Sequence, residues 1–390
     1  MLEFNNIANL LDLEGVIITG FQKTERMIEI ELEFPVKPHV CPKCGYVTSL
    51  IHDYRCQYVK DPPIQGKVLI LKYRKRRYSC PSCNKHFAES QTLVPRYYRS
   101  TNRFAYHILE QLRKRRSISD IATDNFVSWY KVSSLLSLVE VPKPSKLPEV
   151  LSIDEFRGNS GGNKFQCILT DPVNKKTLDI LPTRSQVDLI DYLKFFKNRD
   201  KVKFFVMDMN RVYLDLAKTF LPNAKIIIDR FHVARYNTWA FENVRKRVQK
   251  SLSPTQRVYF KHSRKLLLKR KNSLDSDNID AINIMFRMAP ELASAYLLKE
   301  KFYSFMDSPN SFIAKKRLSE FLMHSNLQNI PEYNPCVTML NNWSEYILNS
   351  FDYRYSNSFT EGTNNKIKVI KRIAFGYRNF DNFRKRILFT

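Results

Sequence analysis

The sequence predicts a multi-domain chain of α+β and α/β class, and three observations carry that expectation. Two Cys-x-x-Cys turns stand early, at Cys41–Cys44 and Cys80–Cys83. The stretch Val141-Pro-Lys-Pro-Ser-Lys-Leu-Pro148 cannot continue a helix and favours extended chain. Beyond it, short β-branched and aromatic runs alternate with helical patterns, the order of an α/β sheet. The division this implies is 1–95, 96–140, a linker at 141–149, and 150–390 with a helical insertion over about 235–350.

The bulk properties narrow the class of partner. The chain has 390 residues, more than one ordinary domain, and 43% of them are hydrophobic, enough for a sizeable core. Lys+Arg number 64 against 38 Asp+Glu, a formal net charge of +26. An aromatic-rich folded chain with that excess points to a polyanion, nucleic acid first. An anionic membrane surface ranks behind it, because no strongly amphipathic basic helix dominates. No run of eighteen or more apolar residues occurs, so no membrane span is expected. Met1-Leu-Glu-Phe-Asn-Asn6 has no secretory pattern, which predicts residence in the cytoplasm. The seven cysteines form two close pairs and three singles, a metal-binding usage rather than a disulfide framework.

Residues 1–40 form a lead-in in which Ile28-Glu-Ile-Glu-Leu-Glu-Phe34 alternates as a half-buried strand. Cys41, Cys44, Cys80 and Cys83 then supply four thiolates, the donor set of a closed tetrahedral zinc ribbon with one structural Zn²⁺. Coincidental pairs or a redox dithiol are the alternatives, and the neighbouring His52, Cys56 and His86 are left out of the set. Lys67-Val-Leu-Ile-Leu-Lys-Tyr-Arg-Lys-Arg-Arg77 reads as a basic strand, either lying along phosphates or protecting a solvated edge. Next come three helical patterns: Asn102–Leu112, Ser117–Asp124, and Trp129–Val139 after the N-cap Ser128. Their spacing suits a helix-turn-helix with Trp129, Tyr130 and Lys131 at the start of the reading helix. An ordinary three-helix packing unit is the alternative.

Past the linker, Val150-Leu-Ser-Ile-Asp-Glu-Phe156 is a strand carrying Asp154, and Val202-Lys-Phe-Phe-Val-Met-Asp208 is a strand closing on Asp208. Between them lie strands 165–170 and 177–181 and a helix over 187–196; after them come a helix over 212–220 and a strand over 225–229. Three antiparallel strands followed by αβαβ is the ribonuclease-H-like order, which sets the first and fourth strands side by side. Neighbouring strands lie roughly 4.7–4.9 Å apart. Asp154 and Asp208 are thereby placed to share a metal, as in phosphoryl transfer between ions about 3.5–4 Å apart. Taken singly, each aspartate is better read as ending a strand or capping the next helix, and the rest of the chain changes that balance. Residues 232–350 are basic and helical, including Lys261–Lys271, whose charge fits a solvated surface or a DNA backbone contact. In Asn357–Arg372, Ser358 and Glu361 have capping-box spacing. Gly362, Asn364 and Asn365 are weak helix formers suited to close approach of a phosphate, beside the positive Lys366, Lys368, Lys371 and Arg372.

Four motifs taken together resemble a known family: Ser152-Ile-Asp-Glu-Phe156, Met207-Asp-Met-Asn210, Asp229-Arg-Phe-His232 and Thr360-Glu-Gly-Thr-Asn-Asn-Lys-Ile-Lys368. Over nearly its whole length the chain resembles the IS-L-three family of bacterial insertion-sequence transposases. The resemblance matches the catalytic Asp, Asp and Glu of that family to Asp154, Asp208 and Glu361. It makes Asp229 and His232 an accessory D-x-x-H pair, and Lys368 the lysine seven positions after the glutamate. The tyrosine and arginine that precede the glutamate in some other such enzymes are absent at the corresponding spacing. The resemblance implies two Mg²⁺ (or Mn²⁺) ions held by the three carboxylates, cleavage of DNA at the element's inverted-repeat ends, and joining of the freed 3′-hydroxyl to target DNA. It also implies a homodimer on DNA in the bacterial cytoplasm. Two rivals share parts of this pattern. A non-catalytic DNA-binding protein needs no convergence of three acids, and a structure-specific nuclease cuts without joining.

Overall fold

The structure, a computed structural model, describes residues 8, 9, 11–13, 15–95, 97–261 and 263–390. The chain divides into two compact units, Met1–Val141 with Val369–Thr390, and Pro142–Lys368.

The first unit begins with a sheet of order β1-β2-β6-β5, with β7 paired to β6. Its strands are β1 (Ile17–Lys23), β2 (Met27–Glu33), β5 (Ile51–Ile64), β6 (Lys67–Ser79) and β7 (His86–Ala88). A separate hairpin joins β3 (His39–Val40) to β4 (Val47–Thr48). The alternation in β2 buries Ile28, Ile30 and Leu32 and turns the glutamates outward. The basic strand β6 is not an edge, which corrects one of its two sequence readings: it lies between β2, parallel, and β5, antiparallel. Its cations are answered within the sheet. Lys72 meets Glu31 at 2.6 Å, Arg76 meets Glu33 at 3.0 Å and Arg77 meets Asp53 at 2.9 Å. Three helices follow: α1 (Asn102–Arg113), α2 (Ile118–Asp124) and α3 (Trp129–Ser137). Thr101, Ser117 and Ser128 each cap one with a side-chain oxygen. Phe126 takes a left-handed φ of 54° in the turn before α3. Phe104, Ile108, Leu112, Ile121, Val132 and Leu136 close the core between the helices.

The second unit is built on a five-stranded mixed sheet of order β10-β9-β8-β11-β12. It comprises β8 (Val150–Phe156), β9 (Gln166–Asp171), β10 (Lys176–Leu181), β11 (Phe204–Met207) and β12 (Lys225–Ile228). β8 runs antiparallel to β9 and parallel to β11, which runs parallel to β12. Helices α4 (Gln186–Lys194) and α5 (Arg211–Phe220) are the crossovers. Because β8, β11 and β12 are covered on both faces, they read as nearly unbroken apolar runs. The order is consistent with a ribonuclease-H-like domain. β11 is shorter than the predicted 202–208, so Asp208 stands one residue past its end.

A helical layer follows: α6 (Arg230–Ser251), α7 (Pro254–Tyr259), α8 (Ser263–Leu268), α9 (Ser276–Met288), α10 (Pro290–Met306), α11 (Ser311–Gln328) and α12 (Asn334–Asp352). Its core joins Phe241, Leu292, Phe302, Phe321, Tyr333 and Leu340 to the sheet's own. The basic stretch 261–271 forms only the short α8 and a turn at Lys271–Ser273, and His262 lies outside the described residues. Lys299 is fully buried and holds that segment, donating to the carbonyls of Leu267 (2.8 Å) and Lys269 (2.6 Å). Helix α13 (Ser358–Ile373) ends the second unit and leads back to the first. Among the described residues no helix is long and apolar enough to cross a membrane.

The last helix, α14 (Phe380–Phe389), packs on α3 and α1 as a fourth member of the three-helix group. Arg386 is 2% exposed and donates to the carbonyls of Lys114 (2.8 Å), the C-cap of α1, and of Arg116 (2.9 Å), two residues further on. Replacing Arg386 by Met takes the donor from the Arg116 carbonyl, while the Lys114 carbonyl keeps the Arg116 N–H. The expected outcome is a loss of about 1–3 kcal/mol in the unfolding free energy of the first unit, measured by denaturant titration.

Candidate functional site

Two groups of metal-ligating side chains stand out among the described residues. The first is Cys41, Cys44, Cys80 and Cys83. The two turns that carry it have the same backbone plan. Gly45 N–H donates to Cys41 O (3.0 Å), and Asn84 N–H donates to Cys80 O (2.9 Å). Both closing residues are left-handed, at φ 76° and 53°, where glycine and asparagine are at ease. Cys41 Sγ lies 3.6 Å from Cys83 Sγ, and Cys44 Sγ lies 3.5 Å from Cys80 Sγ. A tetrahedral Zn²⁺ with Zn–S about 2.3 Å sets its sulfurs about 3.8 Å apart, so the donor set fits the ion. Burial pushes the Cys41 thiol up, but the N–H groups of Lys43 and Cys44 outweigh it and bring the thiol down to about 6. Burial pushes Cys83 up to about 12. The spare residues stay outside: His52 and His86 stack on each other at 3.9 Å, and Cys56 is exposed.

The second is Asp208, Asp229 and His232, of which Asp208 and His232 line a cleft of about 480 Å³ in the second unit together with Asp154, Glu361, Asn364 and Lys368. The parallel pairing of β8 and β11 brings Asp154 and Asp208 to the same end of the sheet. Helix α13 presents Glu361, Asn364, Asn365 and Lys368 at i, i+3, i+4 and i+7, which is one helix face. Asn364 Nδ2 donates to Asp154 Oδ2 at 2.7 Å, and the other oxygen of Asp154 accepts the Glu155 N–H at 2.7 Å. Glu155 itself is paired with Arg184 at 2.7 Å.

Helix α13 is held on the sheet by a buried polar knot. Thr360 Oγ1 lies 2.7 Å from Thr170 Oγ1 and 3.0 Å from Ser152 Oγ. Ser152 also donates to Asn357 Oδ1. All four residues have no solvent exposure. The capping-box reading of Ser358 and Glu361 does not describe this helix start. Ser358 is already the first helical residue, and Asn357, just before it, turns its side chain onto β8.

Sequence reasoning placed Asp229 and His232 as accessories, yet they make the tightest group. The donor atoms of Asp208, Asp229 and His232 all lie within 4.8 Å of one another. His232 Nδ1 is 3.0 Å from Asp208 Oδ1 and 3.5 Å from Asp229 Oδ2. Phe231 and Arg235, which flank His232 on α6, and Arg157 also line the cleft. Their only sequence signal was proximity to the motifs.

Of the basic residues after Glu361, Lys368 lines the cleft and donates to Asn365 Oδ1 at 3.1 Å. Lys366 sits five residues beyond Glu361, about 140° around the helix. Lys371 and Arg372 belong to the part of α13 that counts with the first unit. At the start of α3, Trp129 and Tyr130 are 64% and 69% exposed. Lys131 is half-buried, its ammonium 5.2 Å from the centre of the Tyr98 ring.

The cleft's electrostatics favour uptake of positive charge. Burial pushes Asp154 up to about 6, with Glu361 adding to the shift and the Glu155 N–H and His232 opposing it. Burial and the Asp154 charge push Asp208 up to about 7, against the pull of His232. His232 is raised by its contact with Asp229, against burial. In the cation-free fold these carboxyls therefore keep protons that the unfolded chain has lost above about pH 4. Stability from this source is present at low pH and is lost as pH rises through about 6 to 7. Two outcomes follow. Mg²⁺ binding at pH 7 should release protons, seen as a calorimetric heat that depends on the buffer's ionisation enthalpy. Thr360→Val should cost about 1–3 kcal/mol in chemical denaturation, because it leaves two buried hydroxyls short of a partner, while Thr360→Ser costs less.

Comparison with known proteins agrees with this geometry. Residues 151–387 match the family profile described as transposase, of the ISL3 type with a DDE domain. Residues 37–83 match the profile described as zinc-finger of transposase IS204/IS1001/IS1096/IS1165. The transposase for insertion sequence element IS1001 of Bordetella parapertussis is 27% identical over 369 residues, covering 92% of this chain and 90% of that protein. A protein of Lactococcus lactis subsp. lactis described as an ATP-dependent protease is 29% identical over 120 residues, covering 30% of this chain and 37% of that protein. The four-cysteine turns, the mixed sheet with its acidic cleft, and a profile match spanning most of the chain agree: the chain belongs to the ISL3 family of DDE-type insertion-sequence transposases.

Proposed function

We propose that this transposase binds the terminal inverted repeats of its insertion sequence, cuts a phosphodiester at each end and joins the freed 3′-hydroxyl to target DNA. The observation that carries the proposal is the meeting of three carboxylates from three separate elements in one cleft: Asp154 on β8, Asp208 after β11 and Glu361 on α13. Divalent cations fit these residues. The donors are mostly hard oxygens, and Asp208 Oδ1 and Asn364 Oδ1 are buried without a hydrogen-bond partner. Asp154, Asp208 and Glu361 are the residues that would hold two Mg²⁺ (or Mn²⁺) ions. Such ions, when bound, lower the pKa of an attacking water or hydroxyl and stabilise the leaving oxygen.

The remaining work falls to the protein's own groups. Asn364 fixes the rotamer of Asp154 through its amide. Lys368 and Arg235 bring positive charge to the cleft, where a phosphate backbone would lie. No serine or tyrosine nucleophile is required, since water and then a DNA hydroxyl attack in turn.

In the first unit the ribbon and the α1–α3 helices serve as the end-reading part, a helix-turn-helix with Trp129, Tyr130 and Lys131 at the start of its reading helix. Their exposed aromatic faces suit bases and sugars, and the lysine suits a phosphate. Lys366, Lys371 and Arg372 would bind flanking or target DNA with little base preference. On this reading the functional domains are 1–95, 96–140 and 150–390, with the helical layer as an insertion. Two ends must be cut together, which calls for a dimer on DNA, in the bacterial cytoplasm.

A labelled repeat-end duplex with Mg²⁺ tests the reading. Wild-type protein should cut and join it. Asp208→Ala should lose about 10³-fold or more in cleavage rate, some 4 kcal/mol of transition-state stabilisation, with DNA binding retained. Binding without cleavage by wild-type protein would favour a DNA-binding role alone, and cleavage without joining would favour a nuclease.

A further inference from the structure

We propose that Asp208, Asp229 and His232 form a mixed nitrogen–oxygen cation site of their own, suited to Mn²⁺ rather than Mg²⁺. The proposal deepens the metal-dependent reading above and rests on it.

Sheet register builds the site. β11 and β12 are parallel and in register through Met207 and Ile228, so the next residue of each, Asp208 and Asp229, leaves the sheet side by side. Asp229 is also the residue before α6, which puts His232 one turn along that helix and back over the same point. Asp229 is 4% exposed, so its carboxylate is committed to the interior of the group.

The separations are those of ligands. Metal–nitrogen and metal–oxygen bonds of about 2.0–2.2 Å hold adjacent ligand atoms about 3 Å apart. The observed separations are 3.0 Å and 3.5 Å. A hydrogen-bonded Asp–His pair is the competing account of such distances. Yet Asp208 Oδ1 and His232 Nδ1, both shut off from solvent, face each other at 3.0 Å without the alignment of a hydrogen bond, and Asp229 Oδ2, the third donor of the group, stands 3.5 Å from the same nitrogen. Two facing buried polar atoms that do not bond to each other are what a cation between them would satisfy.

Donor chemistry sets the preference. The two carboxylates suit Mn²⁺ and Mg²⁺ alike, and it is the imidazole nitrogen that favours a first-row transition ion over the oxygen-seeking Mg²⁺. Asp208 would then be shared, facing the oxygen-only ligands Asp154 and Glu361 on one side and Asp229 with His232 on the other.

The test uses the full-length, zinc-loaded protein without DNA and Mn²⁺ as the probe. Electron spin-echo envelope modulation should show a directly bound ¹⁴N in wild type. His232→Ala should abolish that signal, and His232→Asn should abolish it while retaining part of the Mn²⁺ affinity through an oxygen donor. Asp229→Asn should weaken Mn²⁺ binding by about 10-fold or more, with 1 mM Mg²⁺ failing to displace the wild-type signal at about equal concentration. Thermal unfolding of each variant shows whether the fold is kept. Mn²⁺ bound without ¹⁴N modulation in wild type, or modulation persisting in His232→Ala, overturns the proposal, and intact Mg²⁺-dependent cleavage in the same preparation leaves the metal-dependent reading standing. Absence of both Mn²⁺ binding and cleavage overturns the two together.

Discussion

The cleft depends on four buried side chains that never touch it. Ser152, Thr170, Asn357 and Thr360 come from β8, β9 and the start of α13, and Ser152 and Thr360 are 208 residues apart in sequence. Inside a protein an unpartnered hydroxyl costs about 1–3 kcal/mol. The Thr170 and Thr360 hydroxyls meet only when Thr360 sits against the sheet, and the Ser152 hydroxyl reaches Thr360 and Asn357 in that same placement. That condition admits one rotation of the helix about its axis. A slip of one residue would swing Glu361 by about 100° and take it off the cleft. It would also separate Asn364 from Asp154. The knot is thus a register pin, and an apolar contact of the same size would be far less exacting, because apolar packing tolerates sliding that hydrogen bonds do not.

The same accounting of charge separates the two units. In the first, strand β6 carries a row of cations in the middle of a sheet, and it is tolerated there because Glu31, Glu33 and Asp53 face it from both neighbours. Those charges are consumed locally and contribute little to a field at a distance. In the second unit the carboxylates of the cleft are crowded with one another, and burial pushes Asp154 and Asp208 well above the usual carboxylate range. A purely structural salt-bridge network would set a base beside each acid, whereas here the one imidazole of His232 faces two carboxylates. Crowded, half-desolvated acids, with Asp208 Oδ1 and the amide oxygen of Asn364 left without hydrogen-bond partners, favour a counter-charge from outside the chain.

What the sequence disclosed was what is local. β8 was legible to the residue, because its burial on both faces leaves a run of Val, Leu, Ile and Phe with no competing period. The cysteine turns were legible because each is a five-residue device complete in itself. The position of Asp208 just past a strand was legible although that strand proved shorter than predicted, since an aspartate ending an apolar run survives an error of one residue. What the sequence hid was set by pairing across long separations. Nothing in Lys67–Arg77 says that β2 will run parallel beside it and supply the counter-charges. Nothing in Phe380–Phe389 says that Arg386 will close the end of α1. Lys366 and Lys368 looked alike as a basic run, and only the phase of the helix, fixed by the hydroxyl knot, distinguishes the one that lines the cleft. Asp229 and His232 looked secondary because their partnership with Asp208 depends on the register of β11 against β12.

The chain's two metal-ligating groups differ in a way that keeps their ions apart. Four cysteine sulfurs at van der Waals distance, on two superimposable turns, offer soft donors and no fifth position. That arrangement selects zinc and shuts out substrate, so its contribution is to folding. The cleft offers oxygens, one imidazole and open volume, with lysine and arginine at its rim. It has no thiolate among the residues that line it, so it gives zinc none of the sulfur donors that the ribbon does. It also leaves positions that a phosphate oxygen and water can occupy. Sorting by softness and by closure would let one polypeptide hold a permanent structural ion and admit the exchangeable ones of the proposed function. Harder donors cost it affinity, and on the proposed function that suits a centre whose ligands would be exchanged with DNA oxygens.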